Sequence, residues 1–363
     1  MSLLASLLAR LAASSPVRRP HLVPPRRHVA HLALLVVGML AVASCGQAGG
    51  AGDAAGEPPM DSVVFMAGFR PQANLPFVAA YVAKEQGFFE DERLDVDIQH
   101  SSGQDEHLRL LLEGRVQFAT GTAAQTLRMA QEGLPAVAVA LFGQRGDQGF
   151  VARADSGIES PADFAGRTVG FKAGVVPAEL DALLRTADLT RDDVQLVSVG
   201  FDPREFIEGK VDVYPVFLNN EPNVIRNAGV EVQVFDPHEY GVPTLGVAYL
   251  AHRETVREDP DLVGRYLRAT LRAVRWIEED PDAAIDIVLQ YAEGADPAHQ
   301  RFLLDTDLEN AARADGIGRA TTRQWQELAN MLNGLGVLDR PVDARTAFDG
   351  SIVERLYEAE AVR

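Results

Sequence analysis

Polar, charged and aromatic side chains follow the predicted β-strands at several points of the chain. Aromatic rings, side-chain amides, a carboxylate and a lysine suit the reversible binding of a small molecule. In open α/β sheets, ligands bind beyond the carboxyl ends of the strands, where these residues gather. The candidate ligand-binding residues in these segments are Phe69, Arg70, Gln72, Asn74, Gly121, Thr122, Phe142, Gln144, Lys172, Gly174, Asn219, Asn220 and Glu221.

Motifs of common catalytic sites are absent from the sequence. It has no G-x-S-x-G nucleophile elbow, no P-loop, no H-E-x-x-H and no G-x-G-x-x-G. The histidines after residue 45 show no pair three or four positions apart, which argues against a histidine metal site; they are His100, His107, His238, His252 and His299. We therefore predict no catalytic residue, no bound metal, no cofactor and no enzymatic activity.

The single cysteine, Cys45, lies at the end of a predicted export signal. Four arginines between positions 18 and 27 precede a short apolar run at 32–40, and small residues lead up to Cys45. The run is shorter than the about 20 residues that span a bilayer. Small residues directly before a cysteine resemble a bacterial lipobox, which predicts removal of residues 1–44 and lipidation of Cys45. A plain signal peptide with a chance cysteine is the alternative.

The composition and net charge of the chain after residue 44 argue against nucleic acid as a partner. Residues 45–60 are rich in Gly and Ala and predict a flexible tether. Without residues 1–44, which hold five Arg and no acidic residue, 29 Lys+Arg face 52 Asp+Glu, a net charge of −23. Such an acidic chain repels nucleic acid and anionic lipid headgroups, so we predict no nucleic-acid partner.

Alternating strand and helix patterns from residue 62 to 235 predict open α/β sheets. The first unit has predicted strands at 62–66, 94–98, 118–119 and 136–142, and helices at 77–87, 107–114 and about 123–132. The second unit has predicted strands at 168–171, 194–199, 211–217 and 230–235, and a helix at 178–186.

A helical tail follows Pro243. An amphipathic helix is predicted at 261–279, and Asp259-Pro260 and Asp280-Pro281 are typical of the starts of two successive helices. Further helices are predicted at 297–313 and 322–332. We expect two lobes, with the tail packing on lobe one. The predicted boundaries are 61–145 for the first part of lobe one, 146–238 for lobe two and 239–363 for the helical second part of lobe one.

Four segments of the chain carry a resemblance to a known family: residues 79–96, 160–170, 209–222 and 240–243. They resemble the thiamine-pyrimidine-precursor-binding and riboflavin-binding proteins of ABC importers. The most distinctive is Asn220-Glu-Pro222 after a strand. The resemblance covers about residues 62–350. It implies an α/β, two-lobed, periplasmic-binding-protein-like clamshell (type II) with the ligand between the lobes, and it adds Tyr240 to the candidate ligand-binding residues.

The resemblance implies a lipid-anchored solute-binding component of an ABC importer at the outer face of the cytoplasmic membrane. The implied partners are a permease, an ATPase and a small heteroaromatic vitamin precursor, such as an aminopyrimidine precursor of thiamine, and we expect a monomer. Riboflavin and a sulfonate- or nitrate-like anion are alternative ligands. The superfamily also contains the fungal thiamine pyrimidine synthase, which needs a cysteine-rich iron motif. Because Cys45 is the only cysteine, we do not expect this chemistry.

A planar heteroaromatic ligand needs an aromatic platform and polar groups facing its ring nitrogens. Phe69 is the predicted platform, and Glu221 is predicted to accept a hydrogen bond from an exocyclic amine, or else to be a surface residue. Gln72 and Asn74 either bind ligand or form a turn. Lys172 and Arg70 would serve an anionic ligand.

For other candidate ligand-binding residues, the alternative to ligand contact is a structural role. Thr122, next to Gly121, either contacts the ligand or caps the following helix. Gln144, two residues after Phe142 at a predicted crossing between lobes, either contacts the ligand or caps a strand. Gly174 and Lys172 lie in the turn that follows the predicted strand at 168–171. Pyrimidine-binding relatives often carry a histidine in the loop where this chain has Asn74-Leu-Pro-Phe77.

Overall fold

The structure, a computed structural model, describes residues 59–172, 174 and 176–361. The predicted signal peptide, Cys45 and the tether up to residue 58 lie outside the described residues, so the lipobox stays a prediction. None of the described helices is both long enough and apolar enough to cross a lipid bilayer.

Strands and helices alternate through most of the described chain. The strands are β1 Asp61–Ala67, β2 Leu94–His100, β3 Phe118–Thr122, β4 Ala136–Leu141, β5 Gln148–Arg153, β6 Thr168–Phe171, β7 Gln195–Ser198, β8 Val213–Phe217, β9 Val232–Phe235 and β10 Val247–His252. The helices are α1 Leu75–Glu85, α2 Phe88–Asp91, α3 Glu106–Leu112, α4 Ala123–Gln131, α5 Ala178–Thr186, α6 Arg204–Ile207, α7 Glu221–Asn227, α8 Arg253–Glu258, α9 Pro260–Glu279, α10 Pro281–Tyr291, α11 Pro297–Ala311, α12 Thr322–Gly334 and α13 Ser351–Ala361.

The strands form two separate five-stranded sheets. Lobe one is built on the sheet with the order β2-β1-β3-β10-β4, and lobe two on the sheet with the order β7-β6-β8-β5-β9. In each sheet one inserted strand is antiparallel to its neighbours, β10 in lobe one and β5 in lobe two. The chain passes between the sheets at 142–147 and 236–246. The predicted two-lobed α/β fold is confirmed, while the predicted boundaries at 145 and 238 stay predictions.

The central strands of both sheets are buried on both faces, as is usual for sheets rich in parallel strands, whereas the edge strands β2 and β7 are partly exposed. In lobe one, apolar clusters with Phe65 on one face and Trp325 on the other enclose the sheet. In lobe two, Phe164 and Tyr214 belong to the two corresponding clusters. Tyr266 of α9 stacks on Phe118 of β3 with ring centroids 3.9 Å apart. The helical tail therefore packs on lobe one, as predicted.

Local signals in the sequence account for the helix starts in the tail. The side chain of Asp259 accepts a hydrogen bond from the backbone N–H three residues on, and Asp280 does the same for the next helix, both at 3.0 Å. Each aspartate is followed by a proline at the first helical position, where the missing N–H costs nothing. The two predicted helix starts are confirmed.

One element of the tail contradicts the prediction of a helical segment from residue 239. The segment begins with strand β10, which lies in the middle of the lobe-one sheet between β3 and β4. Its residues Ala248–Ala251 are fully buried. A short apolar run that is buried on both faces has no period that distinguishes strand from helix, which is why the sequence pattern did not reveal β10.

Candidate functional site

The loop after β1 carries the first candidate residues. Phe69 lies beyond the carboxyl end of β1 and is 50% exposed. Its carbonyl oxygen accepts a hydrogen bond from His100 Nδ1 at 2.7 Å, and the Tyr81 hydroxyl donates to His100 Nε2 at 2.9 Å. The Arg70 guanidinium lies over the Phe69 ring, 5.4 Å from its centroid. His100 and Tyr81 thus anchor the loop that exposes Phe69.

Gln72 and Asn74 use their side chains within the protein. Gln72 Nε2 donates to Asn74 Oδ1 at 2.5 Å, and Asn74 Nδ2 donates to Asp307 Oδ2 at 3.2 Å. Asn74 precedes α1, but its side chain makes no capping hydrogen bond. The Leu75 N–H instead donates to Asp307 Oδ2 at 3.0 Å. These contacts fit the turn role, and the ligand role of Gln72 and Asn74 stays a prediction.

Lys172 and Glu221 form an ion pair beyond the carboxyl ends of β6 and β8. Lys172 Nζ lies 2.5 Å from Glu221 Oε1, and the side chains are 11% and 5% exposed. Glu221 Oε2 accepts a hydrogen bond from the Phe217 N–H at 2.7 Å. Burial lowers the pKa of Lys172, and the charge of Glu221 opposes that shift. Both carboxylate oxygens are therefore held in place, and the ammonium keeps two further N–H donors.

Three aromatic rings surround the Lys172 ammonium. Nζ lies 4.8 Å from the ring centroid of Tyr214, 5.5 Å from that of Phe217 and 5.6 Å from that of Phe201. Phe201 follows β7 and is 61% exposed. Each lobe thus exposes one phenylalanine ring beyond the end of a parallel strand, Phe69 in lobe one and Phe201 in lobe two.

The segment 219–223 of lobe two contacts α11 of lobe one. Asn219 is buried, and its Nδ2 donates to Asp307 Oδ1 at 2.8 Å. His299 Nε2 lies 2.9 Å from Asn220 Oδ1, and His299 Nδ1 lies 3.0 Å from Asn223 Nδ2. The lobes therefore meet at the residues that the sequence singles out after β8.

The charges that act on His299 come from both lobes. Burial lowers the pKa of His299; the charges of Asp296 and Glu221 raise it, and the charge of Arg70 lowers it. Arg70 in turn lies over Phe69, and Glu221 pairs with Lys172 next to Phe201. We call this set the interlobe site. Its residues are Phe69, Arg70, Lys172, Phe201, Glu221 and His299.

Asp147, at the first crossing between the lobes, lies among other carboxylates. Burial, together with the charges of Asp307, Glu179 and Glu221, raises the pKa of Asp147 to about 7. A cavity of about 190 Å³ borders Asp147, Asn219 and Asp307. A larger cavity of about 560 Å³ opens on lobe one and includes none of the predicted residues.

Four predicted residues have structural roles in lobe one. Thr122 Oγ1 accepts a hydrogen bond from the Gln125 N–H at 3.1 Å and caps α4. A Cβ on Gly121 would lie 2.6 Å from Leu250, so Gly121 permits close packing. Phe142 is 2% exposed. For Thr122 the structure shows the capping alternative, and ligand contact by Gly121, Thr122 and Phe142 stays a prediction.

The fourth, Gln144, also bonds within lobe one. Its Nε2 donates to the Arg319 carbonyl oxygen at 2.9 Å, and its Oε1 accepts from Arg313 at 3.0 Å. Tyr240 lies 6.5 Å from the Phe235 ring and packs against a core cluster of lobe two. Gly174 has a positive φ of 70°, which suits glycine in the turn after β6. A ligand role for these three also stays a prediction.

Sequence reasoning missed Asp147, Phe201, His299 and Asp307. His299 appeared as one of several scattered histidines, and Asp307 as one acidic residue of a helix. Their spacing of eight places them within about 80° around α11, the one local sign that they share a face. The spacing does not indicate which surface of the protein His299 and Asp307 contact.

The two sheets, the paired crossings and the polar contact between the lobes define a two-lobed α/β fold of the periplasmic-binding-protein kind. The chain belongs to the NMT1/THI5-like family, whose profile matches residues 74–284.

Two named proteins and one solved structure are among those to which this chain is similar. The chain is 29% identical over 324 residues to the formylaminopyrimidine-binding protein of Halalkalibacterium halodurans, covering 86% of this chain and 96% of that protein. It is 28% identical over 310 residues to the riboflavin-binding protein RibY of Chloroflexus aurantiacus, covering 82% and 87%. The fold is similar to that of the periplasmic aliphatic sulphonate binding protein SsuA from Escherichia coli, with a TM-score of 0.62, 15% identity and coverage of 79% and 91%.

Proposed function

We propose that this protein is the solute-binding component of an ABC importer and binds an aminopyrimidine precursor of thiamine between its lobes. The observation that carries the proposal is the interlobe site, in which each lobe exposes one phenylalanine beside a charged group. The formylaminopyrimidine-binding relative supports this choice of ligand.

The ring of the ligand stacks on Phe69 or Phe201, and its exocyclic amine donates to the Glu221 carboxylate. Lys172 holds that carboxylate and offers its remaining N–H donors to a carbonyl or ring nitrogen of the ligand. A micromolar affinity needs about −8 kcal/mol, which one stacked ring and several buried hydrogen bonds supply. A ligand bound in this way keeps its covalent bonds.

Riboflavin is the second candidate ligand, because a relative over most of the chain is named for binding it. An anion is the third, because Arg70 and Lys172 are cations at the same site. The Glu221 carboxylate beside Lys172 disfavours an anion, since it would repel the ligand at short range.

Native mass spectrometry of the purified protein, followed by calorimetric titration, tests the ligand. We expect a co-purified or added formylaminopyrimidine to bind with micromolar affinity or better, and riboflavin and an alkanesulfonate to bind at least about tenfold more weakly. Tighter binding of riboflavin or of the sulfonate would contradict the pyrimidine assignment. Binding of none of the three would contradict the solute-binding proposal.

The enzyme alternative is a thiamine pyrimidine synthase-like activity. We propose that the protein is not an enzyme, because Cys45 is its only cysteine and no iron motif of several cysteines can form. Incubation with pyridoxal phosphate and iron, analysed by mass spectrometry, tests this. Formation of a pyrimidine product would overturn the binding proposal.

Anchoring through Cys45 at the outer face of the cytoplasmic membrane, next to a permease and an ATPase, is part of the same proposal. Mass spectrometry of the mature N-terminal peptide should find a lipid on Cys45. Cys45→Ser should release the protein from membranes into the soluble fraction. A mature N-terminus other than Cys45 would contradict the anchor while leaving ligand binding untouched.

A further inference from the structure

Helix α11 of lobe one faces lobe two with two polar residues, His299 and Asp307. Both are partly buried, and both bond to the lobe-two segment 219–223. The neighbouring acidic residue Asp305 is exposed and pairs with Arg301 of the same helix. One face of α11 is therefore engaged with lobe two, and another carries ordinary surface charge.

Asp307 holds parts of both lobes with one carboxylate. Its Oδ1 accepts from Asn219 of lobe two at 2.8 Å. Its Oδ2 accepts from the Leu75 N–H at 3.0 Å and from Asn74 Nδ2 at 3.2 Å, both in lobe one. Burial raises the pKa of Asp307, and these three donors oppose the rise because they favour the charged form.

His299 adds two hydrogen bonds that require one protonation state. Asn220 Oδ1 can only accept, so His299 Nε2 carries the proton at this contact. Asn223 Nδ2 can only donate, so His299 Nδ1 accepts. A neutral imidazole satisfies both contacts, whereas an imidazolium would place two donors against each other at Nδ1.

We propose that the His299 and Asp307 face of α11 is a latch that holds the lobes closed over the ligand. The two residues are positioning residues, since they orient Asn219, Asn220 and the start of α1. Asp307 connects the two candidate ligand segments directly, so release of one segment loosens the other. The role in ligand retention rests on the proposed function, but the closure itself can be measured without a ligand.

The test measures the distance between the lobes in the full-length protein. In a Cys45→Ser background, cysteines introduced at the exposed positions Glu90 in lobe one and Glu205 in lobe two carry spin labels for pulsed electron resonance. We expect Asp307→Asn and His299→Phe to shift the distance distribution toward longer values. Asp307→Asn keeps the shape of the side chain but removes its charge and one of its two acceptor oxygens, and His299→Phe keeps a planar ring but removes both hydrogen bonds.

Matched controls lie on the same helix and at an exposed position of the second crossing between the lobes. Asp305→Asn, two positions from Asp307, and His238→Phe, an exposed histidine, should leave the distance distribution unchanged. Unfolding curves by circular dichroism confirm that each variant is folded. Unchanged distances in both latch variants, or equal shifts in latch and control variants, would overturn the latch.

A swapped pair separates the latch from a general loss of structure. In Asp307→Asn with Asn219→Asp, Nδ2 of the new asparagine can donate to the new carboxylate, and its Oδ1 can still accept from Leu75. We expect this double variant to recover at least half of the lost closed population. Failure to recover it would contradict a direct contact between positions 219 and 307.

Ligand binding then tells the latch and the proposed function apart. With formylaminopyrimidine as the probe, Asp307→Asn should raise the dissociation constant about tenfold or more, as expected for loss of a hydrogen bond to a charged group. If the wild type binds no pyrimidine but the distances shift as predicted, the latch stands and the proposed ligand falls. If pyrimidine binds equally to wild type and latch variants, the latch falls and the proposed function stands.

Discussion

At the scale of single residues, the Lys172–Glu221 pair is the most constrained part of the interlobe site. A buried ion pair is costly to break, because the partner left behind is an uncompensated charge. Here Glu221 also accepts from a backbone N–H, and the Lys172 ammonium lies among three aromatic rings. The pair therefore offers a ligand a carboxylate and an ammonium whose positions are already fixed.

Substitution of Glu221 tests its role as the acceptor for the ligand's amine. Glu221→Gln should weaken formylaminopyrimidine binding by roughly 1.5–3 kcal/mol, the range for a charge-assisted hydrogen bond. Titration calorimetry measures the change, with the exposed Glu205→Gln of lobe two as control. An unchanged dissociation constant would remove Glu221 from the ligand contacts.

Asp147 should make stability depend on pH. Its pKa is raised to about 7 in the folded protein, so its contribution is most favourable below the ordinary aspartate pKa and is lost as the pH rises through 7. Asp147→Asn should therefore raise the melting temperature at pH 8 and change it less at pH 5. Thermal unfolding at both pH values, with Asp305→Asn as control, measures this. An equal gain at both pH values would contradict the assigned cause.

At the scale of elements, helix starts use polar groups that a ligand would also need. Thr122 is a typical case, because its hydroxyl caps α4 directly after β3. Asp307 of α11 shows the reverse arrangement. The Asn74 side chain does not cap α1, and the Leu75 N–H at the start of α1 donates to Asp307 instead. Position after a strand thus favours a ligand contact in this fold but does not establish one.

Gly121 allows the packing role to be separated from a ligand role. Gly121→Ala places a Cβ 2.6 Å from Leu250 and should destabilise the protein by about 1–3 kcal/mol, the usual cost of overpacking. Gly334→Ala is the matched control, because nothing lies within 4 Å of its Cβ position. Denaturant unfolding measures both. A loss of ligand affinity without a loss of stability in Gly121→Ala would instead favour ligand contact.

At the scale of the whole molecule, two crossings and one helix govern how the lobes meet. The crossings approach closely at Gly143 and Gly246, where the Gly246 N–H donates to the Gly143 carbonyl oxygen at 2.8 Å. A Cβ on Gly143 would lie 2.7 Å from the Gly246 Cα, so glycine is needed there. The crossings keep the lobes adjacent, and α11 provides polar contacts that opening would break.

Closure should weaken in acid through His299. The groups whose charges act on it are Asp296 on its own helix, Arg70 after β1 and Glu221 of α7. Burial lowers the pKa of His299, so the closed form favours neutral imidazole above about pH 6.5 and loses that advantage as the pH falls through this value.

Titrations at pH 7.5 and 5.5 measure this effect as the ratio of wild-type to His299→Phe affinity. The ratio should fall toward one at pH 5.5. Asp147 acts in the opposite sense but is present in both proteins, so it cancels in the ratio. A ratio that stays constant or rises would contradict a neutral His299 in the latch.

The sequence by itself determined the class of fold and many of the elements. Helix starts such as Asp259-Pro260 and strands such as β6 at Thr168–Phe171 are encoded by neighbouring residues, so they could be predicted without the fold. It also singled out Lys172 and Glu221, since both follow strands. The sequence analysis did not find β5 or β10, because their short buried runs lack a distinguishing period, and it also missed the helices α7 and α13.

Only the tertiary structure decided which polar side chains meet. Asp307 lies far along the chain from Asn74 and Asn219, yet it bonds to both. Contacts between segments so distant in sequence leave no periodic signal, because they depend on how the tail packs on lobe one and how the lobes close. The tertiary structure therefore brings His299 and Asp307 of α11 to the contact between the two lobes.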